Sequence, residues 1–175
     1  LRVEQDRIEK IAKDYGLDLF PVIFEILTYD QMNEIAAYGG FPTRYPHWRF
    51  GMEYERLSKS HEYGLSKIYE MVINNTPAVA YLLEGNTLVD QKLVMAHVYG
   101  HVDFFKNNFT FTSGTDASAT LSSFKTRADR IRGYAEDPSI GEDEVERFLD
   151  AAHALSFNCN RNAAFVQQKP AEQRQ

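Results

Sequence analysis

A single cysteine, Cys159, excludes an internal disulfide and fits a reducing compartment. Positive charge is in short supply: 19 Lys and Arg face 25 Asp and Glu, for a formal net charge of -6. No basic run occurs, which argues against a nucleic-acid surface, because that needs clustered cations. No apolar run is long enough to span a bilayer, so no membrane partner is expected. The start, Leu1-Arg2-Val3-Glu4-Gln5-Asp6-Arg7, is charged and lacks the apolar stretch of a signal peptide. These absences together point to a cytoplasmic protein. The first residue is not Met, which fits an excerpt of a longer protein. What is present is apolar and aromatic material: 43% of 175 residues are hydrophobic, with 10 Tyr and 12 Phe. That suffices for one packed domain with a substantial core.

The pattern along the chain predicts an α+β fold, rich in helix, with a small antiparallel sheet. Residues 3–15 read as a helix with an apolar stripe of Ile8, Ile11 and Ala12, stopped by Gly16. Residues 18–27 are apolar but interrupted by Pro21. A short helix over 30–37 is expected, capped by Asp30. Glycine pairs and prolines over 39–46 forbid a regular element, and a further helix over 52–63 ends at Gly64. Residues 66–73 and 78–83 are β-branched and aromatic, with turn chemistry in Asn74-Asn75-Thr76-Pro77, and read as two paired strands. Residues 107–123 are rich in Ser and Thr and read as a long irregular loop. Helices are expected over 121–136 and 142–156. The domain is expected to end at 157, with 158–175 a polar, disordered tail.

Between the strands and that loop lies the segment with the most chemical content. Thr87-Leu88-Val89-Asp90 is a capping box that opens a helix running to about Lys106. Its apolar residues fall on nearly every side, predicting a largely buried helix. His97 and His101 stand at i and i+4, on one face. This is the histidine frame of the zincin metallopeptidases, HExxH, with Val98 where those enzymes carry a general-base glutamate. Two readings stand side by side: half of a site for zinc or another divalent metal, or two histidines hydrogen-bonded within the core, with Asp90 on the same face as a partner. Gly100 in mid-helix suggests close approach of a backbone or ligand.

A catalytic zinc needs three protein ligands and an open position. Asp129, His153 and Glu84 are candidates for the third ligand, with Asp129 favoured. Asp129 also has a plain alternative, pairing with Lys125 or Arg132, and His153 borders the apolar face of its own helix. A hydrolase would also need a base for the metal-bound water. Glu84, Glu53 or Glu70 would have to be brought in by tertiary folding, and Glu84 is the candidate catalytic residue. His61-Glu62-Tyr63-Gly64-Leu65 imitates a zincin motif but lacks the second histidine. Separately, Tyr45-Pro46-His47-Trp48-Arg49-Phe50-Gly51 groups aromatic, imidazole and guanidinium side chains. His47 and Arg49 are candidate cofactor-binding residues, Arg49 toward a carboxylate or phosphate. The alternative is an aromatic anchor at Trp48 with Arg49 in an internal salt bridge.

Longer motifs are more specific. Phe41-Pro42-Thr43-Arg44-Tyr45-Pro46-His47-Trp48-Arg49-Phe50-Gly51, the stretch from Tyr63 to Asn75, Leu83-Glu84-Gly85-Asn86, and the stretch from Val89 to His101 resemble the stage V sporulation protein R (SpoVR-like) family. The resemblance is close to about Phe109 and weak to about Leu155. It implies the N-terminal region of a longer cytoplasmic protein linked to spore cortex formation or stress response. The implied role is accessory or regulatory, with a serine kinase or a cell-wall enzyme as partner. The alternative is a zinc-dependent peptidase or amidase of cell-wall metabolism. The resemblance also implies a histidine in relatives near the position of Arg127. Were that histidine the third ligand, this chain would lack a complete site.

Overall fold

A computed structural model describes residues 1–65, 67–114 and 116–159. The chain divides into two compact units, Leu1–Arg132 and Gly133–Gln175. The polar tail expected from 158 lies, from residue 160 on, outside the described residues.

The first unit contains α1 (Arg2–Asp14), β1 (Val22–Leu27), α2 (Tyr29–Ala37), α3 (Trp48–Glu62), β2 (Glu70–Ile73), β3 (Ala78–Leu83), α4 (Leu88–Asn107), α5 (Phe109–Gly114) and most of α6 (Thr120–Glu136). The second unit contains α7 (Glu142–Ser156).

The strands form one sheet in the order β1-β3-β2. β2 and β3 pair antiparallel, as expected, with Glu70 opposite Leu82 and Ile73 opposite Val79. The sheet is mixed, however, because β1 runs parallel to β3, with Val22 opposite Ala78 and Leu27 opposite Leu83. β3 is therefore central, and all six of its residues are buried. Such a strand reads as a continuous apolar run because both its faces are covered.

The period of two sorts those residues onto two faces. Val79, Tyr81 and Leu83 pack with Met32 of α2 and Ile73 of β2. Ala78 and Ala80 pack with Val98 and Val102 of α4, supported by Val22, Phe24, Val72 and Val94. The small alanines let α4 lie close on the sheet. α1 packs in turn on α4, where the Tyr99 hydroxyl donates to a Glu9 carboxylate oxygen 3.4 Å away.

Three helix starts and ends differ from expectation. α2 is capped by Thr28, whose hydroxyl accepts from Gln31 N while the Gln31 side chain accepts from Thr28 N, not by Asp30. α3 begins at Trp48 rather than 52, because the His47 ring Nδ1 accepts from Arg49 N and serves as the cap. The stretch 107–123 is not a single loop: it contains α5 and the start of α6.

Candidate metal centre

The site grows out of how α4 is fixed. Thr87 Oγ1 accepts from Asp90 N at 3.2 Å, and the Asp90 carboxylate accepts from Thr87 N at 3.2 Å and from its hydroxyl at 2.9 Å. Asp90 is thus committed to the helix start and is not the partner of His97. One turn on, the buried Gln91 side chain donates to Leu83 O at 2.8 Å, which locks α4 to the end of β3. The helix then turns Val94, Val98 and Val102 toward the sheet. His97 and His101 each precede one of those valines, so both emerge at the edge of the buried stripe.

The expectation of a largely buried helix is corrected here. Leu88, Val89, Leu93, His97 and Phe104 are exposed, and only one side of α4 is covered. The His97 side chain is 64% exposed. Among the described residues outside its own helical turn, a Cβ at Gly100 would meet no atom within 4 Å.

The third group comes from the sheet. Glu70 opens β2 and alternates onto the same face as Val72, the face covered by α4. Its Oε1 lies 3.8 Å from His97 Nε2, and its side chain is only 17% exposed. The other oxygen, Oε2, is buried and has no hydrogen-bond partner among the described residues. The two imidazoles stand nearly perpendicular, with Nε2 atoms 2.9 Å apart, one donating to the other as their tautomers allow. Phe105 stacks on the far side of His101 and holds that ring in place. The three potential ligand atoms all lie within 4.8 Å of one another.

This arrangement suits a cation. A buried carboxylate oxygen without a donor is destabilising by roughly 1–3 kcal/mol or more, and a divalent ion would relieve it. Ligand atoms around one ion at about 2.1 Å stand roughly 3 Å apart in an octahedral site and about 3.4 Å apart in a tetrahedral one. The Nε2 separation is already near that range. Two imidazoles and one carboxylate suit zinc, and the same donor set also takes iron and other first-row ions.

The remaining candidates lie elsewhere. Asp129 is not part of the cluster: it sits on α6, where it accepts from Lys125 at 3.0 Å and Arg132 at 2.8 Å. Those bonds hold its carboxyl below the usual range. Arg127 is exposed on the same helix and belongs to no such group. Glu84 is exposed in the turn after β3 and is not in the cluster. Glu53 accepts from Arg56 at 2.9 and 2.6 Å along α3. His153 belongs to α7 in the second unit. His61 lies against Tyr29, with ring centres 3.8 Å apart and planes tilted by 33°. His47 and Arg49 line two different cavities. Trp48 is 52% exposed, and its ring stacks on His47. From sequence, Glu70 is offered only as a base to be brought in by tertiary folding. No local spacing marks it, because the β2–β3 register and the packing of α4 bring it to the histidines.

The family described as SpoVR like protein matches residues 1–175. An "Uncharacterized protein YcgB" of Escherichia coli (strain K12) is 47% identical over 152 residues, which cover 85% of this chain and 29% of that relative. The chain thus spans less than a third of that relative's length. No solved structure gives a significant match. With the family match running through the whole sequence and the close relative covering most of it, the chain belongs to the SpoVR-like family.

Proposed function

We propose that this chain is the metal-binding part of a SpoVR-like protein, holding one divalent cation, zinc foremost, on Glu70, His97 and His101. The observation that carries this reading is Glu70 Oε2, buried and unpartnered among the described residues, beside two converging imidazole nitrogens. In this reading the ion ties the sheet to α4 and the protein is accessory or regulatory. Its setting would be the cytoplasm, in spore cortex formation or stress response, beside a serine kinase or a cell-wall enzyme.

A second reading is a zinc-dependent peptidase or amidase. Three protein ligands with an exposed outer side leave a coordination position open, as catalytic zinc requires. A site helix packed on a sheet whose central strand is paired on both sides also fits a zincin-like arrangement. Against it, Val98 replaces the general base, and Glu70 cannot be both third ligand and base. The accessory reading is therefore preferred.

Elemental analysis of tag-free protein tests the site. One equivalent of zinc or iron is expected, and it should be lost in His97→Ala, His101→Ala and Glu70→Gln. Folded wild type that takes up no metal, even after reconstitution, would overturn the proposal. Hydrolysis of peptide or amide substrates by loaded wild type, absent in Glu70→Gln, would move the assignment to the second reading.

A further inference from the structure

A cavity of about 600 Å³ lies in the first unit, lined by α2, residues 44–47, α3 and Arg132 of α6, and by none of the three candidate metal ligands. That volume falls within the usual range of ligand clefts, about 300–1,000 Å³. Its lining separates charge by sign. On α2, Asp30 and Glu34 stand at i and i+4 and both face the cavity, exposed. Among the described residues neither has an ion-pair partner. Two like charges at that spacing repel each other, and a cation between them would relieve the repulsion.

Arg44 and Arg132 supply the opposite sign, but Arg132 is already paired with Asp129 and donates to Thr43 Oγ1 and Arg44 O, which leaves Arg44 as the free cation of the lining among the described residues. Its guanidinium lies over the rings of Phe41 and Phe124, 5.1 Å from each centre, and 5.9 Å from that of Phe50. Its Nε donates to Tyr38 O at 2.8 Å. No carboxylate of the described residues pairs with it, and burial lowers its pKa. A half-buried guanidinium without a counter-charge is unfavourable, and its remaining donors suit a carboxylate fork. Between the two ends, Tyr45, Phe50 and Tyr54 give the cavity aromatic walls. A phosphate-rich ligand would satisfy Arg44 but would face the two α2 carboxylates. A ligand bearing one charge of each sign satisfies both ends.

We propose that this cavity binds a zwitterion of the amino-acid or short-peptide class. Its carboxylate pairs with Arg44, its ammonium lies by Asp30 and Glu34, and its apolar body rests on Tyr45, Phe50 and Tyr54. This site is independent of the metal centre.

The test is calorimetric titration of the full chain, with and without zinc, using the dipeptide Phe-Gly. N-acetyl-Phe-Gly, Phe-Gly-amide and inorganic phosphate serve as the other probes. Saturable dipeptide binding is expected in both metal states, at least tenfold weaker for either capped form. Arg44→Gln should weaken the dipeptide about as much as amidation does. Glu34→Gln, an exposed change that leaves the fold intact, should weaken Phe-Gly but not N-acetyl-Phe-Gly. No saturable binding of the dipeptide, equal binding of capped and free forms, or preferential binding of phosphate would each overturn the proposal. So would a Glu34→Gln variant that binds Phe-Gly as wild type does.

Discussion

Tyr99 is the largest fully buried side chain among the described residues, and it ties three elements together. Its ring meets Phe24 of β1 edge-on at 5.7 Å, and its hydroxyl donates to Glu9 of α1. Burial first, and then the Glu9 charge, hold the phenol protonated far above its ordinary range. In the unfolded chain a tyrosine ionises near pH 10. Above that pH the unfolded state gives up a proton that the folded state keeps, so stability falls as pH rises; below it this residue adds no pH dependence. Urea midpoints of wild type should therefore drop on going from about pH 9 to about pH 11. In Tyr99→Phe the drop should be shallower, though not abolished, since Tyr81 is shifted the same way by burial. Equal slopes in the two proteins would mean that Tyr99 ionises without unfolding.

α4 shows how an element can be read correctly and its surroundings missed. Its capping box, its length and the histidine spacing are all local, and all stood in the sequence before any fold was known. The side facing the sheet could not be read in the same way, because apolar residues occur on every side and Leu88, Val89, Leu93 and Phe104 are simply exposed. β1 is not legible from its own residues, because Pro21 precedes it and its pairing with β3 is non-local. The Thr28–Gln31 capping box was a local signal that could have placed the start of α2. His47 as a cap was less accessible, since imidazole is an unusual capping acceptor. Gly100 bears a prediction at this scale. It lies inside the helix with open space where a Cβ would be, so Gly100→Ala should stabilise the protein by up to about 1 kcal/mol. Equilibrium denaturation measures this directly. A loss of stability would show that something packs against Gly100 after all.

At the scale of the whole molecule, the candidate metal centre joins parts that the sequence keeps separate. Glu70 belongs to an edge strand, whereas His97 and His101 belong to the helix across its face. This is why two of its members were legible from spacing and the third was not. An ion bound there crosslinks sheet and helix only when the chain is folded, so binding must raise stability by mass action. At 100 times the dissociation constant the gain is about 2.7 kcal/mol. For a domain of this size that corresponds to roughly 5–10 °C in melting temperature. Acidification should erase it, because ligating imidazoles must be neutral and protons compete with the metal. Scanning calorimetry with zinc chloride against EDTA, at neutral and at acidic pH, reads both effects. The surface carries a net charge of -6, so loosely held zinc is a real competitor for the explanation. Glu70→Gln separates the two: it removes one charge from the cluster and leaves the acidic surface otherwise intact. A specific site predicts that the zinc-dependent shift disappears in Glu70→Gln and in His97→Ala. A shift that survives in both variants would assign the stabilisation to the acidic surface and remove the crosslink.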